Sequence, residues 1–313
     1  MGLKMDDALY KGNKINVNDD GADIKYRNLQ NLQCFNCSVP VSFVHSHKRD
    51  LGEKIITIKR YFRLKQNMYH KEGCKYTING VLYNIYAACA DGDLISKDND
   101  VFVLRLLLIT DDEKLEGSNR SSEKSENEKR NLNYITIGSK EKYLSTITGV
   151  MKLRDRVESN TDLEDTLKLK FHDWNGNAFF IPWKHFYFDA DNDNDYSRLS
   201  KLLTKEKRYH PLCIAGYIRS VLKINSENQN DLYKLKLENV LRADGKWVSI
   251  DLWFNGTGIN NYLADTEGSK AVIYTRFSYK GNQPWTSKAG KDYISCVIAG
   301  NINNYRQILL VKP

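Results

Sequence analysis

The first 110 residues contain short runs in which hydrophobic and polar positions alternate, a period of two that is typical of half-buried β-strands. These runs are rich in β-branched and aromatic residues, and polar or glycine-containing segments separate them, which favours strands joined by turns. The pattern predicts four strands in this part of the chain, at Val39–Val44, Ile55–Leu64, Tyr83–Ala88 and Val101–Ile109.

The pattern changes after residue 110. Residues 111–133 are rich in Ser, Glu, Asn and Lys without a hydrophobic period, which predicts a flexible linker or a long loop inside one domain. Residues 134–210 are mixed. Their spacing predicts a helix from Tyr143 to Leu153, a second helix through Leu163 and Leu167, an aromatic strand at Asn177–Phe188 and a short helix at Tyr196–Leu203.

The last hundred residues return to alternating strands. A polar segment, Gly256–Gly268, separates the third predicted strand from the fourth. Five strands with a helix or loop at that place are the arrangement of the OB fold, a small Greek-key barrel. The predicted strands are Leu212–Ile224, Leu232–Leu241, Trp247–Phe254, Lys270–Tyr279 and Asp292–Ala299, with Tyr305–Val311 as an addition.

The composition shows an excess of basic residues, and the sequence contains no apolar run long enough to span a membrane. Lys and Arg number 47 against 39 Asp and Glu, and the resulting net charge of +8 suits a polyanionic partner. The longest apolar run, Val101–Ile109, is too short to span a bilayer, and the charged N-terminal residues lack the apolar core of a secretion signal. We therefore expect a folded, cytoplasmic protein.

Four residues have the spacing of a metal site. Cys34 and Cys37 form a C-x2-C pair, and His70 and Cys74 form an H-x3-C pair further along the chain. Zn²⁺ prefers four tetrahedral Cys and His ligands, and two turns that each offer two ligands commonly provide them. Four protein ligands leave no position for water. We therefore predict a structural Zn²⁺ that contributes folding free energy to an N-terminal β module.

Other interpretations of the cysteines and histidines stay open. Cys34 and Cys37 are alternatively free thiols or a redox pair, and the H-x-H pair His45 and His47 supplies competing ligands. Six cysteines are too few for a disulfide scaffold in a chain of this length, which favours a reducing compartment. The other cysteines lie in apolar runs and are expected in the core: Cys89, Cys213 and Cys296.

The segment RYFRLK, Arg60–Lys65, precedes His70 and Cys74 and resembles the zinc-finger segment of CoiA-like competence proteins. Tyr61 stands where that family has a His, and the resemblance covers only about 40 residues. Within 48–75 there are nine basic and three acidic residues. This balance suits contact with nucleic acid, and it equally suits a solvated rim of a small module. The aromatic residues among these charges are Tyr61, Phe62, Tyr69 and Tyr76.

The C-terminal strands resemble a second family. The segment EGSKAVIYTRFSYKGNQPWTSKAGKDYISCVIAGNI, with CIAGYIRSVLKI and LYKLKLENV before it, is similar in order and character to part of bacterial single-stranded DNA-binding proteins. The resemblance implies an OB fold over residues 211–313 and binding of single-stranded DNA. It does not imply the tetramer of that family.

Alternation within these strands separates a core face from an outward face. The outward set interleaves aromatic residues, which stack on bases, with cations, which neutralise phosphates. The alternative is that the aromatic residues pack against residues 134–210 or against a second subunit. The predicted nucleic-acid-binding residues are Tyr217, Arg219, Lys234, Lys236, Trp247, Trp253, Tyr274 and Arg276, with Lys280, Trp285, Lys288 and Lys291 from the following hairpin.

No catalytic constellation is visible. The run Asp189–Asp195 has Asp at every second position, but Asn194 and Ser200 stand where an EF-hand loop has Gly and Glu. His172 and His185 lie near aromatic residues without a nucleophile, a phosphate-binding loop or paired metal-binding carboxylates. We expect no enzymatic activity.

The sequence thus predicts an α+β protein, mainly β, in four parts. These are a zinc-binding β module (1–110), a linker or loop (111–133), a mixed middle region (134–210) and an OB-type barrel (211–313). The predicted function is non-enzymatic binding of single-stranded nucleic acid, in the first place DNA. The alternatives are a protein-interaction subunit or scaffold of a DNA-processing or defence complex, a homo-oligomer included, and RNA binding.

Overall fold

The computed structural model describes residues 3–50, 55–89, 94–108, 137–157, 163–172, 177–192, 194–205, 210–224, 232–242, 245–286 and 292–311. Strands make up 47% and helices 23% of the structure, so the fold is α+β and mainly β, as predicted. The described residues form two compact units. The first comprises those within Met1–Asp50, Ile55–Leu104 and Gly149–Leu169, and the second those within Arg105–Thr148 and Lys170–Pro313. The four-part division stays a prediction.

The first unit begins with seven short strands. They are β1 (Asp7–Tyr10), β2 (Asn13–Asn16), β3 (Gln33–Cys34), β4 (Val41–Val44), β5 (His47–Asp50), β6 (Ile55–Ile58) and β7 (Tyr61–Leu64). Three small sheets result, β2-β1-β3, β4-β7 and β5-β6. Sheets of this size need other elements to be stable. Several of these strands share one hydrophobic core with helix α1 (Ala22–Lys25), and that core includes Met5, Phe62, Cys34 and Cys74.

Helix α2 (Ile78–Cys89) occupies the segment Tyr83–Ala88, so the strand predicted there is wrong. Thr77 precedes the helix, and its Oγ1 accepts a hydrogen bond of 3.0 Å from the Gly80 N–H, which is a helix N-cap. The buried residues Leu82 and Cys89 are two helical turns apart and lie on one face. Helical spacing, not alternation, therefore describes this segment.

A four-stranded sheet follows, with β8 (Ile95–Asp98), β9 (Val101–Leu106), β10 (Leu167–His172) and β11 (Ala178–Ile181) in the order β11-β10-β9-β8. Leu167 begins β10, so the predicted helix through Leu163 and Leu167 is wrong. The longest of the described helices is α3 (Ile137–Arg156), which contains the predicted helical residues from Tyr143 to Leu153. Among the described residues, no helix combines the length and the apolar composition needed to cross a membrane.

The second unit is dominated by a nine-stranded sheet. A 3-10 turn, Trp183–His185, precedes this sheet in the sequence. It interrupts the predicted strand Asn177–Phe188. The further elements are β12 (Tyr187–Asp189), α4 (Asp195–Lys205), β13 (Leu212–Ile224), β14 (Leu232–Leu237), β15 (Val240–Leu241), β16 (Trp247–Asn255), α5 (Thr257–Tyr262), β17 (Lys270–Thr275), β18 (Phe277–Thr286), β19 (Asp292–Ile302) and β20 (Ile308–Val311). Their order is β18-β19-β16-β14-β13-β17-β20, with β12 beside β13 and β15 beside β16.

The pairing within this sheet is mostly antiparallel. Strands β13, β14 and β16 form an antiparallel meander, whereas β19 lies parallel to β16. Strand β17 pairs with β13, and β18 pairs with β19. Only Arg276 separates β17 from β18. Register shifts at Arg219 in β13 and at Lys280 in β18 are β-bulges, which bend a strand locally.

Candidate metal centre and nucleic-acid interface

The structure brings Cys34, Cys37, His70 and Cys74 together, with their ligand atoms all within 4.8 Å of one another. The Sγ atoms of Cys34 and Cys74 are 3.9 Å apart. His70 Nδ1 lies 3.3 Å from Cys37 Sγ and 3.5 Å from Cys74 Sγ. A tetrahedral ion with Zn–S bonds of about 2.3 Å and a Zn–N bond of about 2.0 Å requires ligand separations of about 3.5–3.8 Å. The cluster therefore fits a tetrahedral metal ion.

Two tight turns position these ligands. Cys34 ends β3, and the Ser38 N–H donates to the Cys34 carbonyl oxygen over 2.9 Å, with Ser38 at φ 61°. Gly73 has φ 75° directly before Cys74, a backbone conformation that a residue with a side chain adopts only with strain. The positive φ of residue 73 thus gives a conformational reason for a glycine beside Cys74.

Backbone N–H groups converge on the sulfur atoms and favour their thiolate forms. Burial raises the pKa of Cys37, but the backbone N–H donors and the hydrogen bonds with the Cys34 and Cys74 thiols together lower it by more, so the pKa lies below its usual value. Burial raises the pKa of Cys34 to about 12 and also raises that of Cys74. A bound cation would offset the cost of these buried thiolates. The donors are Asn36 and Cys37 to Cys34, Lys71 and Val39 to Cys37, and Tyr76 to Cys74.

The alternative ligands lie elsewhere. Among the described residues, His45 and His47 do not join the cluster. Burial lowers the pKa of His70, which favours the neutral imidazole that a metal ligand requires. None of the six cysteines forms a disulfide, and Cys89, Cys213 and Cys296 are buried, as predicted for core residues. Of the aromatic residues within 48–76, Phe62 and Tyr76 are buried and Tyr69 is 75% exposed.

Three of the predicted nucleic-acid-binding residues are buried, so the prediction that they face outward is wrong. The Tyr274 hydroxyl donates to the Leu107 carbonyl oxygen over 2.7 Å. The Tyr217 hydroxyl donates to Asp191 Oδ1 over 3.0 Å. The Trp247 ring packs edge-on against Tyr293, with ring centroids 5.8 Å apart. Other segments cover these positions, and the residues 212–218 are buried on both faces of β13.

The remaining described members of the predicted set are accessible. Arg219, Arg276 and Lys280 are exposed. Arg219 lies at the bulge in β13, Arg276 at the junction of β17 and β18, and Lys280 at the bulge in β18. Lys236 and Trp253 are half-buried, as is Lys234. β-bulges re-aim side chains, so these cations project differently from those of a regular strand. The side chain of Trp285 and the whole of Lys288 and Lys291 lie outside the described residues.

Lys234 and Trp253 are cross-strand partners and interact directly. The Lys234 ammonium lies 4.9 Å from the centroid of the Trp253 ring and 2.6 Å from Asp251 Oδ2. The ring, the cation and the carboxylate therefore form one polar cluster on the outer side of β14 and β16. An anionic ligand would compete with Asp251 for this lysine.

Sequence reasoning missed Lys270. Its ammonium lies 3.0 Å from Asp189 Oδ2 and 2.7 Å from Asp191 Oδ2, and its side chain is only 12% exposed. Asp195, also in the acidic run, pairs with Arg198 at 3.0 Å. These carboxylates thus face cationic side chains of the protein. No sequence signal indicated the pairing, because Lys270 is 79 residues from Asp191.

Functional inference for this chain rests on the geometry of the two sites described above. The sequence matches no protein-family model and no curated protein.

Proposed function

We propose that the chain binds single-stranded nucleic acid, in the first place DNA, on an OB-type barrel formed by residues 212–302. We further propose that a structural Zn²⁺ at Cys34, Cys37, His70 and Cys74 stabilises the N-terminal module of a protein of the reducing cytoplasm. The observation that carries the barrel is the parallel pairing of β19 with β16 in an otherwise antiparallel set of strands.

The strand order supports the barrel. An OB fold is a five-stranded Greek-key barrel in which the fifth strand lies between the third and the fourth. Here β13, β14, β16 and β19 correspond to the first, second, third and fifth strands. Strands β17 and β18 together correspond to the fourth, since one pairs with β13, the other with β19, and Arg276 alone separates them. Helix α5 lies between the third and fourth strands, where the OB fold has a helix or loop.

The position of the polar cluster supports the ligand. OB folds bind oligonucleotides on the face of the second and third strands and on the loops beside it. Those strands correspond to β14 and β16, which contain Lys234, Lys236 and Trp253. Lys280 lies in the hairpin between the fourth and fifth strands. An aromatic ring among cations suits a strand that stacks its bases and presents its phosphates.

Replacing Trp253 by Ala is expected to weaken binding of oligo(dT) by about 5- to 100-fold, because one base stack is worth about 1–3 kcal/mol. Replacing Lys236 by Gln should weaken binding more uniformly and reduce the salt dependence by about one counterion. Tryptophan fluorescence titration, repeated at several salt concentrations, measures both effects. Duplex DNA and RNA of the same sequence serve as competitors.

The matched control is Phe180→Ala. Phe180 is 58% exposed, lies in the same unit and belongs to β11, outside the proposed barrel. This variant should bind oligo(dT) like the unmodified protein. Absence of binding at about 50 mM salt and micromolar protein, conditions that favour non-specific electrostatic binding, would contradict the proposal.

One observation favours a protein partner on the same face. Asp251 neutralises Lys234, and Leu222, the neighbour of Lys234 on β13, is 43% exposed. An apolar residue beside a neutralised ion pair suits a protein surface better than a phosphate backbone. If the partner is a second copy, light scattering will give the mass of a dimer for the unmodified protein and of a monomer for Trp253→Ala.

A further inference from the structure

A cavity of about 410 Å³ lies beside the metal ligands in the first unit. It is lined by the segment Gly73–Lys75, by the first turns of α2 and by the turn between β8 and β9. Its volume falls in the range of about 300–1,000 Å³ that is typical of small-molecule sites. The lining residues with cationic, amide or aromatic side chains are Lys75, Asn79, Tyr83, Asn84, Lys97 and Phe102.

The charged groups of this cavity suit an anion. Two lysines and one acidic residue, Asp100, line it. The Lys75 ammonium rests over the rings of Phe35 and Tyr76, 5.2 and 5.1 Å from their centroids. The Lys97 ammonium lies 5.7 Å from the centroid of Tyr83. Cation–π contacts at exposed sites are weaker than hydrogen bonds to a phosphate, so both ammonium groups are able to turn to a phosphoryl ligand.

The other lining groups suit a planar ring. Tyr83 is 55% exposed, and its ring is accessible for stacking once Lys97 has turned away. Asn79 and Asn84 are exposed and carry amides that both donate and accept hydrogen bonds, as the edge of a base requires. A phosphate together with a flat heterocycle is the chemistry of a nucleotide.

The cavity is fixed to the metal centre by close contacts. Thr77 Oγ1 donates to the Cys74 carbonyl oxygen over 2.8 Å and accepts from the Gly80 N–H. A Cβ atom at Gly80 would lie 2.9 Å from Thr77 Oγ1 and 3.1 Å from the Cys74 oxygen. The start of α2 therefore packs directly on the turn that carries Cys74, which pre-organises one wall of the cavity.

We propose that this cavity binds a nucleoside monophosphate unit, with Lys75 and Lys97 on the phosphate and Tyr83 on the base. The unit is either a free mononucleotide or one residue of a bound single strand. The second case rests on the proposed function, whereas the first does not.

Calorimetric titration of the full-length, zinc-loaded protein with thymidine monophosphate tests the site. Replacing both lysines, Lys75→Gln and Lys97→Gln, should weaken binding at least about tenfold, since each removes a charge-assisted contact. Replacing Tyr83 by Leu should also weaken binding of the monophosphate, because the base loses its stacking partner. Lys65→Gln is the control, because Lys65 is an exposed lysine of the same unit that does not line the cavity. Unchanged zinc content and circular dichroism ensure that the variants are folded.

Thymidine and inorganic phosphate separate the two halves of the ligand. We expect both to bind more weakly than the monophosphate, and equal binding of phosphate alone would overturn the nucleotide assignment. Displacement of the monophosphate by oligo(dT) would support the strand-bound form, and failure of displacement would overturn it. Binding of the monophosphate without binding of oligo(dT) leaves the cavity site and removes the proposed function. Binding of oligo(dT) without binding of the monophosphate would support the proposed function and overturn the cavity site.

Discussion

Replacing Cys34 by Ser is expected to abolish binding of Zn²⁺ at the proposed site and to unfold the N-terminal module. Cys34, Cys37 and Cys74 are 0%, 8% and 1% exposed and belong to the hydrophobic core of this module. The sheets around them have only two or three strands and are marginally stable alone, and structural Zn²⁺ in small modules contributes an apparent binding free energy of about 10–16 kcal/mol. Metal analysis and hydrogen exchange of peptides from residues 3–50 measure the loss of the ion and of the fold.

Cys89→Ala is the matched control for this substitution. Cys89 is a buried thiol of the same unit, 4% exposed, and lies outside the four-residue cluster. The variant should retain about one Zn²⁺ per chain, as expected for a single Cys₃His site. A Cys34→Ser protein that keeps both its zinc and its exchange protection would show that the cluster is not a structural metal site.

Replacing Lys270 by Met is expected to destabilise the second unit by about 1.5–3 kcal/mol, the usual contribution of hydrogen bonds to charged groups, because its ion pairs with Asp189 and Asp191 are partly buried. Asp189 and Asp191 would face each other without a cation, and their side chains are 15% and 24% exposed. The midpoint of urea denaturation, followed by tryptophan fluorescence, measures the change.

A triple variant distinguishes charge from packing at this site. The triple variant adds Asp189→Asn and Asp191→Asn to Lys270→Met. It removes the uncompensated charges and should recover much of the stability lost in Lys270→Met. Lys201→Met is the control, because Lys201 is an exposed lysine of the same unit on α4 and should change stability by less than about 0.5 kcal/mol. Equal effects of Lys270→Met and Lys201→Met would show that the ion pairs contribute nothing.

The four residues of the candidate metal centre were predictable because their positions are encoded locally. C-x2-C and H-x3-C each fit one turn, so the spacing alone predicts which four side chains converge. Strands β14 and β16 were predictable for a similar reason, since a period of two is visible within each.

The errors come from long-range packing, which alternation does not report. The residues 212–218 are buried on both faces, so the rule that alternate residues face outward does not apply to Tyr217. The Tyr274 hydroxyl lies 2.5 Å from that of Tyr143, which is 131 residues away. In α2 the composition resembles a strand, and only the cap at Thr77 and the helical spacing of Leu82 and Cys89 indicate a helix.

The ligand spacing has a consequence for a protein whose chain has been cut. Cys34 and Cys37 lie on one side of the segment 38–69, and His70 and Cys74 lie on the other. An ion held by both pairs would therefore join the two ends of this segment non-covalently. Protease cleavage inside it would leave two pieces that migrate together on a sizing column until a chelator separates them.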